Sequence, residues 1–198
     1  MAVAPQFALH RLPGGPASRH SIELYIDFVC PFSKKQLLGV RDNLLPILPK
    51  DVAVIIRQVP QPWHAASTLV HEAAIAVSKL VDDAQTFWQF AYALMEHQEE
   101  YFDEAVENET LAQIRRRLAK LAHDSVGVEE SAFLDLVKTG QGNSGNKVGA
   151  DLKLQVKLGR QNGIHVTPTV LLDGLVDPSV SSSFGKDEWA KYVKEKLS

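Results

Sequence analysis

At 198 residues, with 45% apolar and 23% charged side chains and a formal net charge of -3, the chain has the size and composition of one compact domain with room for an inserted sub-domain. That balance supplies no field that would recruit nucleic acid, and no apolar run approaches the roughly 18 residues that span a bilayer, so neither nucleic acid nor membrane is expected as a partner. A single cysteine, Cys30, excludes an intramolecular disulfide and is the only thiol available for chemistry.

Met1 to Gly14 lacks the basic start and apolar centre of a secretory signal, which places the expected location in the cytoplasm. Arg11 and Arg19 without an acid in the first 22 residues suggest an organelle leader, but Pro5, Pro13, Gly14, Gly15 and Pro16 would break its helix. Gln6 to Leu12 instead reads as a short strand, followed by a Pro/Gly-rich turn from Leu12 to Ser18.

Ile22 to Phe28 alternates, with Ile22, Leu24, Ile26 and Phe28 on one side, as in a strand with a core-facing side. Pro31 suits the first turn of a helix, predicted over Ser33 to Leu45 and stopped by Pro46 and Pro49; Cys30 therefore lies at or just before a helix N-terminus. Val52 to Val59 is a second strand bounded by prolines.

From Ser67 the period becomes helical, with helices predicted over Thr68 to Leu80, Ala84 to Glu99, Leu111 to His123 and Glu129 to Thr139. The stripes Leu69, Ala73, Val77, Leu80 and Phe87, Phe90, Ala91, Leu94 pack such helices rather than hold a cofactor, and Arg115, Arg116, Arg117 and Lys120 fan out as a solvated face. Gly140 to Gly145 spells GxGxxG, but a helix precedes it where a dinucleotide site needs a strand, so it reads as a helix cap and turn. Lys147 to Gln161 is helical and Gly163 stops it. Thr167 to Gly174 reads as an apolar strand with Pro168 at its entrance and an Asp173-Gly174 turn, with Leu175-Val176 as the returning strand of a hairpin, and Lys186 to Leu197 closes the chain as a helix packed through Trp189 and Val193.

The order strand, helix, strand, helical insert, helix, hairpin, helix is joined by two motifs. Asp27-Phe-Val-Cys30-Pro31-Phe32-Ser33-Lys-Lys35 is similar to the Asp-Phe-x-Cys-Pro-x-Cys-Lys-Lys of the DsbA-like family, and Gly163-Ile-His-Val-Thr167-Pro168-Thr169 to its Gly-x-x-x-Thr-Pro-Thr. The chain thus resembles the DsbA-like family of the thioredoxin-fold superfamily over nearly its whole length. The resemblance implies an α/β fold with a central mixed sheet flanked by helices, a thioredoxin-like domain from residues 1–66 and 140–198, and a helical sub-domain inserted at 67–139.

It also implies that Pro168 is cis and faces the active-site sulfur, that Thr167 offers backbone groups to an extended peptide, and that Pro31 and Phe32 shape the same substrate surface. Where the family has its second cysteine this chain has Ser33, so cycling between dithiol and disulfide is excluded and monothiol chemistry remains. The expected catalytic pair is Cys30, whose thiolate the helix N-terminus favours, and Ser33, whose hydroxyl can donate to it. Asp27 is either a strand-end residue or a proton acceptor through water, and His64, like His165, is either structural or an auxiliary catalytic group. No metal site is expected, because the histidines form no close pair and only one sulfur is present.

The expected activity is thiol-disulfide exchange on protein disulfides or glutathione mixed disulfides, with no bound cofactor and with glutathione as the outside thiol that resolves the adduct. Two alternatives are a catalytically silent module that grips an extended peptide beside Pro168, and a glutathione transferase or isomerase resembling the kappa class, which carries a Ser-Pro-Tyr-Ser type motif here.

Overall fold

The computed structural model describes residues 3–12 and 18–197; the turn expected after Leu12 lies, from residue 13 to residue 17, outside them. The first element is not the expected strand. Pro5–His10 is a 3-10 helix, begun by Pro5 at its first position and burying Phe7 and His10, three residues apart, on one side. Only β1 (Arg11–Leu12) remains extended.

The sheet is completed by β2 (His20–Ile26), β3 (Val52–Gln58), β4 (Thr169–Leu172) and β5 (Leu175–Val176), in the order β1-β3-β2-β4-β5. β2 and β3 are parallel, with Leu24 opposite Ile56, and the remaining pairs are antiparallel. Both faces of the central strands are covered, so Glu23 on β2 is buried along with Ile22, Leu24 and Ile26. Its carboxylate accepts from Arg57 Nε of β3 at 2.6 Å, which compensates each charge with the other.

β2 stops at Ile26, two residues before the expected end, because Asp27 turns its side chain back onto the Val29 N–H. The helix that follows, α1 (Pro31–Gly39), is also shorter than expected. It passes into one π turn (Val40–Leu44) and a 3-10 turn (Leu45–Ile47), where Pro46 cannot donate to a continuing α ladder.

Between β3 and the last third of the chain lie α2 (Ser67–Leu80), α3 (Ala84–Glu96), α4 (Asp103–Val106), α5 (Leu111–Val126) and α6 (Glu130–Val137). Asp83 caps α3 by accepting from Thr86 N–H, Thr110 and Gln113 form a capping box on α5, and Gly127 ends α5 at φ 70°. α2 buries every side chain from Ser67 to Ser78 except Thr68, because α3, α5, α6 and the later helix α7 (Gly149–Gln161) all pack on it. Leu24 and Ile56 of the sheet and Phe87, Leu118 and Phe133 of these helices belong to one buried cluster.

The Arg115–Arg117 run is not a uniformly solvated face: Arg115 pairs with Glu72, and Arg117 with Glu109 and Glu100. The Gly140–Gly145 loop follows α6 and closes on itself through the Gly140 N–H and Gly145 carbonyl at 2.7 Å. After α7, Gly163 takes φ 66°, and the β4–β5 turn places Asp173 at φ 52° and Gly174 at φ 85°. The final helix, α8 (Lys186–Lys196), buries Trp189 between the rings of Phe184 and Tyr192; Tyr192, rather than Val193, is its second deeply buried contact.

Candidate functional site

Cys30 is the N-cap of α1, with extended backbone angles and a carbonyl that accepts from Lys34 N–H at 3.1 Å. Its side chain sits at the helix end where backbone N–H groups lack intrahelical partners. The residue is only 6% exposed, and its Sγ–H donates to the Thr167 carbonyl at 3.2 Å. The Thr167-Pro168 peptide bond is cis. Two motifs separated by 137 positions are thereby in hydrogen-bond contact.

The segments that carry the site hold exposed apolar side chains: Phe32, two residues after Cys30, is 59% exposed, Trp63, next to His64, 59%, and Val166, next to Thr167, 62%. Pro31 is also exposed, while Thr167 and Pro168 are half-buried. Trp63 and Val166 were not singled out in the sequence, and their exposure is the mark that sets them apart in the structure.

Ser33 is placed differently from the expectation. It is fully buried, and its Oγ accepts from Asp27 N–H at 3.2 Å; among the described residues it makes no hydrogen bond to Cys30. Ser33 therefore ties the start of α1 to the end of β2. His165 is exposed and apart from these contacts.

Asp27 is the centre of the polar network beneath the sulfur. Its Oδ1 accepts from Val29 N–H at 2.9 Å and Ser67 Oγ–H at 2.7 Å, and lies 3.3 Å from His71 Nε2; its Oδ2 accepts from Gln61 N–H at 3.1 Å and lies 2.7 Å from His64 Nδ1. Ser67 and His71 reach it together because residues four apart share a helix face, and the carboxylate sits at the N-terminal turn of α2, where the helix dipole favours an anion. Burial pushes the Asp27 carboxyl up, but the bonds from His71, Val29 and His64 overcome it and hold the group well below the usual carboxylate range. Asp27 is thus a buried, ionised anchor directly after the end of β2.

His64 is half-buried and held by this carboxylate, whereas His71 is fully buried and also bonds through Nδ1 to Gln58 Oε1 at 2.9 Å. His71, Ser67 and Gln61 were not singled out in the sequence, since a polar residue on a helix stripe carries no local mark of what it faces. Gln98 was missed for the same reason. From the 3-10 turn after α3, its Nε2 donates to the carbonyls of Phe28 at 2.8 Å and Cys30 at 3.0 Å, so the helical segment holds the cysteine loop directly. Gln98→Leu is expected to lower stability by about 1 to 3 kcal/mol, because the buried Phe28 carbonyl loses its partner. Urea unfolding measures this, and an unchanged midpoint would show that the bond contributes nothing.

Among the described residues no group of histidine, cysteine, aspartate and glutamate side chains is arranged to hold a metal ion, and no helix is long and apolar enough to cross a membrane.

No protein-family model and no curated protein matches the sequence. Solved structures do. A candidate protein-disulfide isomerase from Pseudomonas syringae is 27% identical, with a TM-score of 0.75 over 95% of this chain and 99% of that one. BdbD from Bacillus subtilis is 20% identical (TM-score 0.65; 95% and 92% covered), and DsbA from Chlamydia trachomatis 14% identical (TM-score 0.69; 98% and 93% covered). With a cysteine at the first helix start, a cis-proline loop facing it and helices between β3 and α7, the chain shares the thioredoxin-like fold of these DsbA-like structures.

Proposed function

We propose that this protein is a thiol-disulfide oxidoreductase that works through one thiol, with an outside thiol completing each turnover. The observation that carries this reading is Cys30 Sγ at the N-terminus of α1, 3.2 Å from the carbonyl that precedes Pro168. In the first step the Cys30 thiolate attacks a protein disulfide or glutathione mixed disulfide, forms a new S–S bond and releases the substrate thiolate. In the second, an outside thiolate attacks the substrate-derived sulfur of the adduct, forms the new S–S bond to it, and Cys30 leaves as thiolate. For a glutathionylated substrate the balance is one mixed disulfide and one glutathione converted into one free thiol and one glutathione disulfide. A compartment rich in reduced glutathione, such as the cytoplasm, suits this cycle.

Substrate binding follows from the same contact. The Thr167 carbonyl accepts from the Cys30 S–H in the resting thiol. Once Cys30 is a thiolate or a disulfide it has no proton to donate, and that carbonyl becomes free to accept a backbone N–H from an extended peptide. Phe32, Trp63 and Val166 are the apolar contacts for side chains flanking the substrate sulfur. Ser33 weighs against a transferase of the kappa type, since a fully buried hydroxyl cannot reach a bound glutathione.

The test is turnover of a glutathionylated peptide by glutathione, compared with Cys30→Ser. Wild type is expected to exceed the uncatalysed exchange and Cys30→Ser to fall back to it. Equal rates would overturn the reading. Peptide binding without turnover in either protein would indicate a binding module, and conjugation of an electrophile that survives Cys30→Ser but fails in Ser33→Ala would indicate a transferase.

A further inference from the structure

A one-thiol cycle leaves a chemical need that a second cysteine would otherwise meet: the outside thiol must lose its proton. An ordinary thiol, of pKa about 8.5, is only about 3% ionised at pH 7. We infer that His64, oriented by Asp27, is the general base that removes this proton, and that the outside thiol enters through the cleft His64 shares with Val29 and Pro31. The inference rests on the one-thiol reading above.

The orientation is set by geometry. The Asp27 carboxylate only accepts, so the His64 Nδ1 that lies 2.7 Å from Oδ2 carries the hydrogen. In the neutral ring the lone pair is then on Nε2, which has no hydrogen-bond partner among the described residues. Gln61 fixes the same loop twice, through its N–H to Asp27 Oδ2 at 3.1 Å and its carbonyl to His64 N–H at 3.2 Å. Asp103 of α4 pins it from the other side by accepting from Ala65 N–H at 2.8 Å. A base oriented by a third group is the arrangement used to activate thiols and hydroxyls.

The cleft has a volume of about 310 Å³ and is lined by Val29, Pro31, His64, Phe102, Asp103 and Glu104. Val29 and Pro31 are the two neighbours of Cys30 in the chain, so the cleft borders the cysteine loop, and we take it as the path by which the outside thiol reaches the adduct. The ionisable groups facing His64 are Asp27, Asp103 and Glu104, with His71 on the far side of Asp27. In the step itself the S–H proton passes to His64 Nε2 and the new thiolate attacks the adduct. The S–S bond to Cys30 breaks, the leaving Cys30 thiolate takes up the electron pair, and the proton returns to solvent from His64.

Because about 3% of the thiol is already ionised at pH 7, a base can accelerate this step by about 30-fold at most, and a loss of about 10-fold is expected for His64→Gln. The experiment preforms the Cys30–glutathione adduct with glutathione disulfide and follows its release by glutathione in stopped flow. Adduct formation and thermal melting are recorded on the same samples. The loss is expected in release rather than in adduct formation, and imidazole is expected to restore release in His64→Ala. Thionitrobenzoate, a thiol already ionised at pH 7, is expected to release the adduct equally fast from wild type and His64→Gln. Equal release by glutathione, or an equal deficit with both thiols, overturns the role of His64 while leaving the one-thiol reading intact. A wild type that forms no adduct, or whose adduct glutathione does not release, overturns both.

Discussion

Asp27→Asn is expected to lower the stability of the folded protein by about 3 to 5 kcal/mol at pH 7. One carboxamide oxygen can replace one carboxylate oxygen, but the other position becomes an NH2 group facing donors. If the retained oxygen keeps the Val29, Ser67 and His71 side, the Gln61 N–H and His64 Nδ1–H lose their acceptor. Hydrogen bonds to a charged acceptor are worth about 1.5 to 3 kcal/mol each, and two are lost; the part-exposed His64 regains some of its share from water, which holds the total to about 3 to 5 kcal/mol. The pH dependence provides a second readout. The folded carboxyl titrates below its ordinary value of 3.8, so the unfolded chain takes up this proton first. The contribution is fully present above the unfolded value and is lost as pH falls below it toward the lower folded value. Urea unfolding at pH 7, 5, 4 and 3 should show wild type losing this stability in the lower part of the range and Asp27→Asn lacking it throughout. A variant as stable as wild type at pH 7 would show that the network does not depend on the carboxylate.

The parts of the site written in short range were legible in the sequence, and the parts assembled over long range were not. Cys30 could be placed at a helix start because Pro31 follows it, and Thr167-Pro168 could be paired with it through the resemblance of two motifs. The support beneath them comes from elsewhere. Asp27 gathers Gln61, His64, Ser67 and His71 over separations of 34 to 44 residues, and Gln98 reaches Phe28 across 70. Nothing in a local window marks a helix-stripe histidine as facing a carboxylate rather than an apolar neighbour. The Ser33 expectation went astray for a related reason. One turn along a helix puts a hydroxyl within reach of the cysteine, but also within reach of the strand end, and in the structure it bonds the Asp27 N–H.

The fold was legible where one physical cause dominates. The β-branched run of β3 marks a strand, and Asp173-Gly174 supplies the positive φ that a two-residue hairpin turn needs; β2, read as a strand with one core-facing side, is buried on both, with Glu23 paired to Arg57. It was misread where two causes compete. Gln6 to Leu12 has apolar residues at alternating sites, yet Pro5 and the three-residue spacing of Phe7 and His10 form a 3-10 turn first. That turn drives the imidazole of His10 into the core, where it stacks on Phe87 with ring centroids 4.4 Å apart and 3° between planes.

His10 is expected to impose the largest acid sensitivity on the fold. It is fully buried, and neither ring nitrogen makes a hydrogen bond of good geometry. Burial lowers its pKa from 6.5 to about 3, with the Ile56 backbone opposing and the charges of Arg57 and His71 adding to the fall. Between those two values the unfolded chain binds a proton that the folded chain refuses. Stability therefore rises with pH across this window, by up to about 1.4 kcal/mol per pH unit, and a total of about 5 kcal/mol is lost on acidification from 6.5 to about 3. His10→Phe keeps an aromatic ring on Phe87 and removes the titration, so its urea midpoint should change little between pH 7 and 5 while that of wild type falls. The Asp27 effect begins below this range, because its unfolded reference is 3.8 rather than 6.5, and Asp27→Asn should retain the slope between pH 7 and 5 that His10→Phe loses. Parallel curves for wild type and His10→Phe would mean that the Pro5–His10 turn opens on its own to admit the proton, leaving the sheet and the cysteine site folded.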